Sequence, residues 1–114
     1  VSRTLGTGFV EKVYENALAL ELEKRGLKLL QQEPVQVRYG DRIVGQFVTD
    51  LLVEDRVVVE IKAVAGLHRD FELQCINYLR ATGLKVCLLL NFGRRQLEFR
   101  RFVLAPEVNR MSPP

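Results

Sequence analysis

Residues 47–62 restrict the fold more than any other part of the chain. Phe47-Val48-Thr49-Asp50-Leu51-Leu52-Val53 and Val57-Val58-Val59-Glu60-Ile61-Lys62 are two β-branched runs around the polar triplet Glu54-Asp55-Arg56. That arrangement spells a β-hairpin. Asp50, Glu60 and Lys62 interrupt the runs, and strands rarely bury a charge that is neither paired nor bound to something. Strand side chains alternate between faces. Glu60 and Lys62 therefore share one face with Val58, and Val57, Val59, Ile61 and Ala63 make the other, the expected core face.

The loop length decides what these charges do. With Glu54, Asp55 and Arg56 as a three-residue loop, Val53 faces Val57 and Asp50 faces Glu60. Directly opposed side chains lie about 4.5–5.5 Å apart at Cβ. Two carboxylates that close repel unless a cation sits between them. Oxygen-rich pairs suit Mg²⁺ or Mn²⁺, with Lys62 next along the face to hold a water or a phosphate. A two-residue loop would instead turn Asp50 away from Glu60. A surface hairpin with merely solvated charges would show the same residue types.

The chain has 114 residues, the length of one domain, and 47% of them are hydrophobic, enough for a core. No apolar run approaches the roughly 18 residues of a membrane span, and no signal peptide is visible. A cytoplasmic protein without a membrane partner is expected. The chain opens at Val1 rather than Met, as a trimmed product would. Cys75 and Cys87 lack metal-ligand spacing and read as reduced, buried thiols. His68 is the only histidine, which rules out a multi-histidine metal site. The net charge of +3 is compatible with a nucleic-acid partner without demanding one.

Thr7 is a candidate N-cap for a helix over residues 9–25, closed by Gly26. Val10, Val13, Tyr14, Ala17, Leu18 and Leu20 form its expected apolar face. Glu11 flanks that face and Glu15 lies nearer the rim; early helix positions favour Glu in any case. Residues 27–33 read as a connection or short strand, 35–39 as a strand, and Gly40-Asp41 as a tight turn into the strand carrying Asp50. Gly45 marks a bulge or bend. A second helix is expected over 69–81, with Leu73, Ile76 and Leu79 inward, and Gln74 and Tyr78 sharing a face. The apolar run 84–92 reads as a buried strand reached by a right-handed crossover. Residues 96–104 form a last strand. Arg94, Arg95, Arg100 and Arg101 make this end basic, either as a protected edge strand or as a phosphate-contacting rim. Residues 1–105 form the domain and 106–114 a loose tail.

The order is helix, three-stranded meander, helix, strand, strand. Gly8-Phe9-Val10-Glu11-Lys12-Val13-Tyr14 is a G-x-x-E-x-x-Y match, followed by Asp50, Glu60-Ile61-Lys62, Gln74 and Tyr78. This constellation resembles the small GxxExxY proteins of the PD-(D/E)xK nuclease superfamily. The resemblance implies an α/β fold with a restriction-endonuclease-like αβββαβ core, a mixed sheet of about five strands flanked by two helices. It also implies Asp50, Glu60 and the Ile61 carbonyl as ligands of Mg²⁺ or Mn²⁺, and Lys62 beside the attacking water. Glu11 would match the first-helix carboxylate of many members, and Gln74 and Tyr78 the helix motif of the RecB-like branch. Thr49 departs from the Pro of the superfamily name, and Phe71 stands where related small proteins often have His.

Two functions follow as expectations. One is a divalent-metal-dependent nuclease acting on nucleic acid, DNA first, with Asp50, Glu60, Lys62, Glu11 and Gln74 in the site and Tyr78, Arg94 and Arg95 on the nucleic acid. The other is an inactive nucleic-acid-binding or regulatory module on the same fold. A chain this short offers little surface to a duplex, which leaves room for a homodimer.

Overall fold

The computed structural model describes residues 1–104; the expected tail, 106–114, lies outside the described residues. The elements are α1 (Ser2–Leu5), α2 (Glu11–Lys24), β1 (Leu29–Tyr39), β2 (Arg42–Val53), β3 (Val57–Lys62), α3 (Arg69–Thr82), β4 (Val86–Asn91) and β5 (Glu98–Val103). The strands form one five-stranded mixed sheet in sequence order. Every neighbouring pair is antiparallel except β3 and β4, which run parallel and are joined through α3. The expected mixed sheet is present, with a third helix: four-residue α1 precedes the first expected helix and is too short to show a periodicity.

Helix α2 begins at Glu11 with Val10 as its N-cap, not Thr7, because the preceding loop is fastened elsewhere. The Tyr14 hydroxyl donates to the Gly6 carbonyl at 2.7 Å and accepts the Phe9 amide proton at 3.3 Å. Gly8 has φ 103° in that loop, a conformation costly for a residue with Cβ. The glycine and the tyrosine of G-x-x-E-x-x-Y thus shape the loop and anchor it to the helix.

Two cores lie on opposite faces of the sheet. Tyr14 and Ala19 of α2 pack with Leu51, Val59, Ile61 and Phe92 on one side. Cys75 and Leu79 of α3 pack with Val58, Cys87 and Leu89 on the other. The face of Val58, Glu60 and Lys62, expected to be the less buried one, is therefore a core face as well. A helix covers each side of β3, and β2 and β4 flank it. The two helix stripes also shift from expectation: Val10, Leu20 and Leu73 are exposed, and Glu15 and Ala19 in α2 and Cys75 in α3 are buried. Glu15 interrupts the apolar pattern of α2 and so displaced its apparent centre.

Residues 27–33, read as a connection or short strand, run into the first half of β1. The β1–β2 register shifts between Val37 and Arg38, beside Gly45, the bulge that glycine suggested. Among the described residues, no helix is long and apolar enough to cross a membrane.

Candidate active site

Val53 pairs with Val57, Leu52 with Val58 and Leu51 with Val59, so residues 54–56 form a three-residue loop, and Asp50 and Glu60 are the residues that follow the last pair. The left-handed residues of the loop are Glu54 (φ 55°) and Asp55 (φ 53°). Lys28 fixes this choice: its carbonyl accepts the Glu54 amide proton at 2.8 Å, its own amide donates to Glu54 Oε2 at 3.3 Å, and its Nζ reaches Asp55 Oδ2 at 3.0 Å.

The β2–β3 pairing ends at Leu51–Val59. At the next position a side chain bridges the strands: Asp50 Oδ2 accepts the Ile61 amide proton at 2.7 Å. On the other flank, β1 and β2 pair at Gln31–Leu51 and Glu33–Thr49 but skip Gln32 opposite Asp50. Gln32 has φ 54°, an uncommon conformation for a residue with a side chain. The kink lets consecutive glutamines converge on one carboxylate. Gln32 Nε2 donates to Glu15 Oε1 at 2.7 Å and reaches Asp50 Oδ1 at 3.4 Å, while Gln31 Nε2 donates to Glu15 Oε2 at 2.8 Å. Lys12 Nζ adds an ion pair at 3.1 Å. Glu15, only 3% exposed, is the α2 carboxylate at this cluster. Glu11 stands exposed in the first turn of α2, and no hydrogen bond joins it to Asp50 or Glu60.

Glu60 lies on the opposite side of β3 from Ile61 and is 5% exposed. Its Oε1 is buried without a hydrogen-bond partner among the described residues. Burial, and then the negative charge of Asp50, push its carboxyl up from 4.5 to about 8. A buried carboxylate in that state needs a counter-charge or a proton. Tyr78 faces the same charges: burial first, then Glu60 and Asp50, raise its hydroxyl to about 12. The Cys75 and Cys87 thiols are free and buried behind Glu60; their mutual hydrogen bond lowers Cys75 and raises Cys87.

Lys62 follows on the Glu60 face. Its ammonium lies 4.7 Å from the centroid of Phe71 on α3, a cation–π contact. Phe71, where a His was the more familiar residue, thus serves as the resting place of Lys62. Gln74 is exposed and lines a cleft with Tyr78 rather than touching the carboxylates. Arg94 and Arg95 line a separate cleft of about 960 Å³ with Thr7 and Ala65, beyond the end of β4. Arg94 is paired at 3.8 Å with Glu98.

Asn91 holds this end of the site together. It is fully buried and lies beside Lys62 in the β3–β4 register. Its Oδ1 accepts the Val64 and Gly93 amide protons, each at 2.9 Å, and its Nδ2 donates to Val64 O at 2.9 Å and Glu98 Oε1 at 3.1 Å. The Asn91 amide first, then the Leu67 amide and the charges of Arg94 and Arg100, lower the Glu98 carboxyl. Gly93 completes the clamp, since a Cβ there would stand 2.2 Å from the Val64 carbonyl oxygen. Sequence reasoning passed over Asn91, Gln31 and Gln32. The available signal for Asn91 was a polar residue closing an otherwise apolar run.

Among the described residues, no group of three or more His, Cys, Asp or Glu side chains is placed to hold a metal ion by itself. Asp50, Glu60 and the Ile61 carbonyl are a smaller set, two carboxylates and one backbone oxygen. Mg²⁺ suits such a set because it keeps several waters and takes only one or two carboxylates. The orphaned Glu60 oxygen and the mutual repulsion of the two acids are what a bound cation would relieve, so the residues fit one.

A mixed sheet in this order, with an acid on β2 and Glu-Ile-Lys on β3, defines a protein of the restriction-endonuclease-like fold. The chain belongs to the PD-(D/E)XK nuclease superfamily, which it matches over residues 1–102. No curated protein matches it by sequence. Among solved structures it is similar to the protein SSO0001, with a TM-score of 0.63 at 13% identity, over 88% of this chain and 53% of that one. It is also similar to an alkaline exonuclease (LHK-Exo) from Laribacter hongkongensis, with a TM-score of 0.60 at 16% identity, over 82% of this chain and 56% of the exonuclease. At those identities the likeness is one of fold, and this chain spans about half the length of each.

Proposed function

We propose that this protein is a divalent-metal-dependent nuclease of the GxxExxY type that hydrolyses phosphodiester bonds in nucleic acid, DNA first. The observation that carries the reading is Glu60: a buried carboxylate with an unpartnered oxygen, in the field of a second carboxylate, Asp50. Nothing in the packing of the strand calls for that charge, whereas a metal site does. Asp50, Glu60 and the Ile61 carbonyl would hold Mg²⁺ or Mn²⁺, as metal use in this superfamily leads one to expect. The ion would supply the positive charge that polarises the scissile phosphate and eases loss of a proton from the attacking water. Asp50 is held in place by the Ile61 amide and Gln32, and Glu15 stands behind Gln32 as the helix-borne acid. Lys62 would leave Phe71 for the developing negative charge.

One observation favours a binding module without catalysis: Lys62 rests on Phe71, away from the acids. A panel of end-labelled DNA and RNA, single- and double-stranded, incubated with Mg²⁺ or Mn²⁺, separates the two. Cleavage by the parent and none by Glu60→Gln supports the nuclease. Binding without cleavage in either protein supports the module.

A further inference from the structure

We propose that the cleft between β1–β2 and α3 takes a single strand of the nucleic-acid substrate and leads it to Asp50 and Glu60; this deepens the nuclease reading and rests on it. The cleft measures about 720 Å³. Volumes of about 300–1,000 Å³ suit ligands of drug size, so it admits a nucleotide or two of one strand and not a duplex.

Its lining is chemically one-sided. Arg38 of β1 and Arg80 of α3 face it, and no acidic residue does. Both arginines are exposed, and neither forms an ion pair with a described residue. Arg25, Arg94 and Arg100, by contrast, are each paired with a glutamate. Two arginines with uncommitted guanidinium groups across one cleft complement an anionic backbone. Gln36, Gln74 and Asn77 add neutral donors and acceptors. Aromatic surface is present too: the Phe47 and Tyr78 rings stack at 4.1 Å and 23°. Strand-binding grooves combine these parts, positive charge tracking the backbone and aromatic rings beside the bases.

Tyr78 connects the cleft to the face of β3 that carries Glu60. Tyr78 lines the cleft and also packs on the core cluster of Val58, which shares its face of β3 with Glu60. A strand lying across these rings therefore arrives at the two carboxylates. Gln74 and Tyr78 gain a role here that does not require Gln74 to touch the metal ligands.

The test is fluorescence anisotropy of labelled oligothymidylate, and of a blunt duplex of equal length, in EDTA to prevent cleavage. Arg38→Ala/Arg80→Ala is compared with Arg56→Ala/Lys85→Ala, which removes the same charge at the opposite end of β3. The parent should bind the strand more tightly than the duplex. The cleft variant should bind the strand several-fold more weakly than the control, with the salt slope reduced by about 1.4, at roughly 0.7 per phosphate contact. Arg38→Lys/Arg80→Lys should recover most of the slope. Equal loss in the cleft and control variants, or duplex binding as tight as strand binding, would overturn the proposal. If the parent still cleaves in Mg²⁺ or Mn²⁺ in that case, the nuclease reading survives without the cleft. A parent that neither binds nor cleaves any nucleic acid removes both.

Discussion

Asp50 Oδ2 accepts the Ile61 amide proton at 2.7 Å, so a side chain spans β2 and β3 just past their last ladder pair. The carboxylate does a backbone carbonyl's work on one oxygen and leaves the other toward Gln32. These two duties separate by mutation. Asp50→Asn can keep an acceptor for Ile61 while losing the charge. Asp50→Ala leaves a strand amide unpaired, at about 1–3 kcal/mol. Urea unfolding should show Asp50→Asn close to the parent and Asp50→Ala destabilised by that amount. Calorimetric titration with Mn²⁺ should show weakened binding in both. Unimpaired Mn²⁺ binding by Asp50→Asn would take Asp50 out of the ligand set.

Glu60 gives the fold a pH dependence of opposite sign to that of an ion-paired acid. Its carboxyl is raised from 4.5 to about 8, so between those values the folded chain holds a proton that the unfolded chain has lost. Stability is then present below about 4.5 and is lost as pH rises through 8, by an amount on the order of a few kcal/mol. Asp50, Lys62, Cys75 and Tyr78 face Glu60; Tyr78, at about 12, titrates outside the window. Thermal unfolding in EDTA should give a higher Tm at pH 5 than at pH 8.5. Glu60→Gln should flatten that slope, which also separates Glu60 from Cys75. Mn²⁺ should stabilise the parent more at the higher pH, since a ligand carboxylate must be ionised.

The helix acid is Glu15 by geometry. Two glutamine amides and Lys12 converge on it, and Gln32 links it to Asp50. Glu11→Gln should leave cleavage and stability within about 0.5 kcal/mol of the parent, as for other exposed positions. Glu15→Gln should lower the rate by at least tenfold, because the new amide keeps an acceptor for only one of the Gln31 and Gln32 donors and sets its NH2 against the other, which disturbs the Gln32 link to Asp50. Gln32→Ala should lower kcat with a smaller change in KM, through loss of Asp50 alignment. A Glu11→Gln variant slower than Glu15→Gln would reverse the assignment.

The hairpin register was legible because an apolar pair, Val53 and Val57, brackets a polar triplet, and the three-residue loop then sets the alignment as far as Leu51 and Val59. Helices α2 and α3 were legible from their apolar spacing and their closing glycines. Glu15 was not, because a buried acid breaks the very pattern by which a buried face is recognised. Its partners, Gln31 and Gln32, lie in a segment with little strand propensity, and their role appears only with the left-handed turn at Gln32. The two-sided burial of β3 was hidden for a related reason. Alternation distinguishes the faces of a strand, but it does not show that a second helix covers the face bearing the charges.

Gly93 should be irreplaceable for reasons that reach the site. A Cβ there would meet Val64 O at 2.2 Å, Val64 N at 2.4 Å and Ala63 C at 2.7 Å. All three are backbone atoms, so no rotamer change relieves the contact. One chain must move, and the Asn91 amide ties them to each other through Val64 and Gly93. Overpacking costs about 1–3 kcal/mol where side chains can adjust; here Gly93→Ala should fall at the upper end or beyond. The displaced residues directly follow Lys62, so the lysine should lose its alignment along with the fold's stability. Asn91→Ala should loosen the same junction without adding bulk, leaving the half-buried Val64 and Gly93 amides without their partner. Urea midpoints and cleavage rates measured on both variants give the check. Both should lose stability, and Gly93→Ala should lose more activity than Asn91→Ala at temperatures where each remains folded. A Gly93→Ala protein with the parent's midpoint would show that Ala63 and Val64 can move aside freely, and that the junction does not hold Lys62 in place.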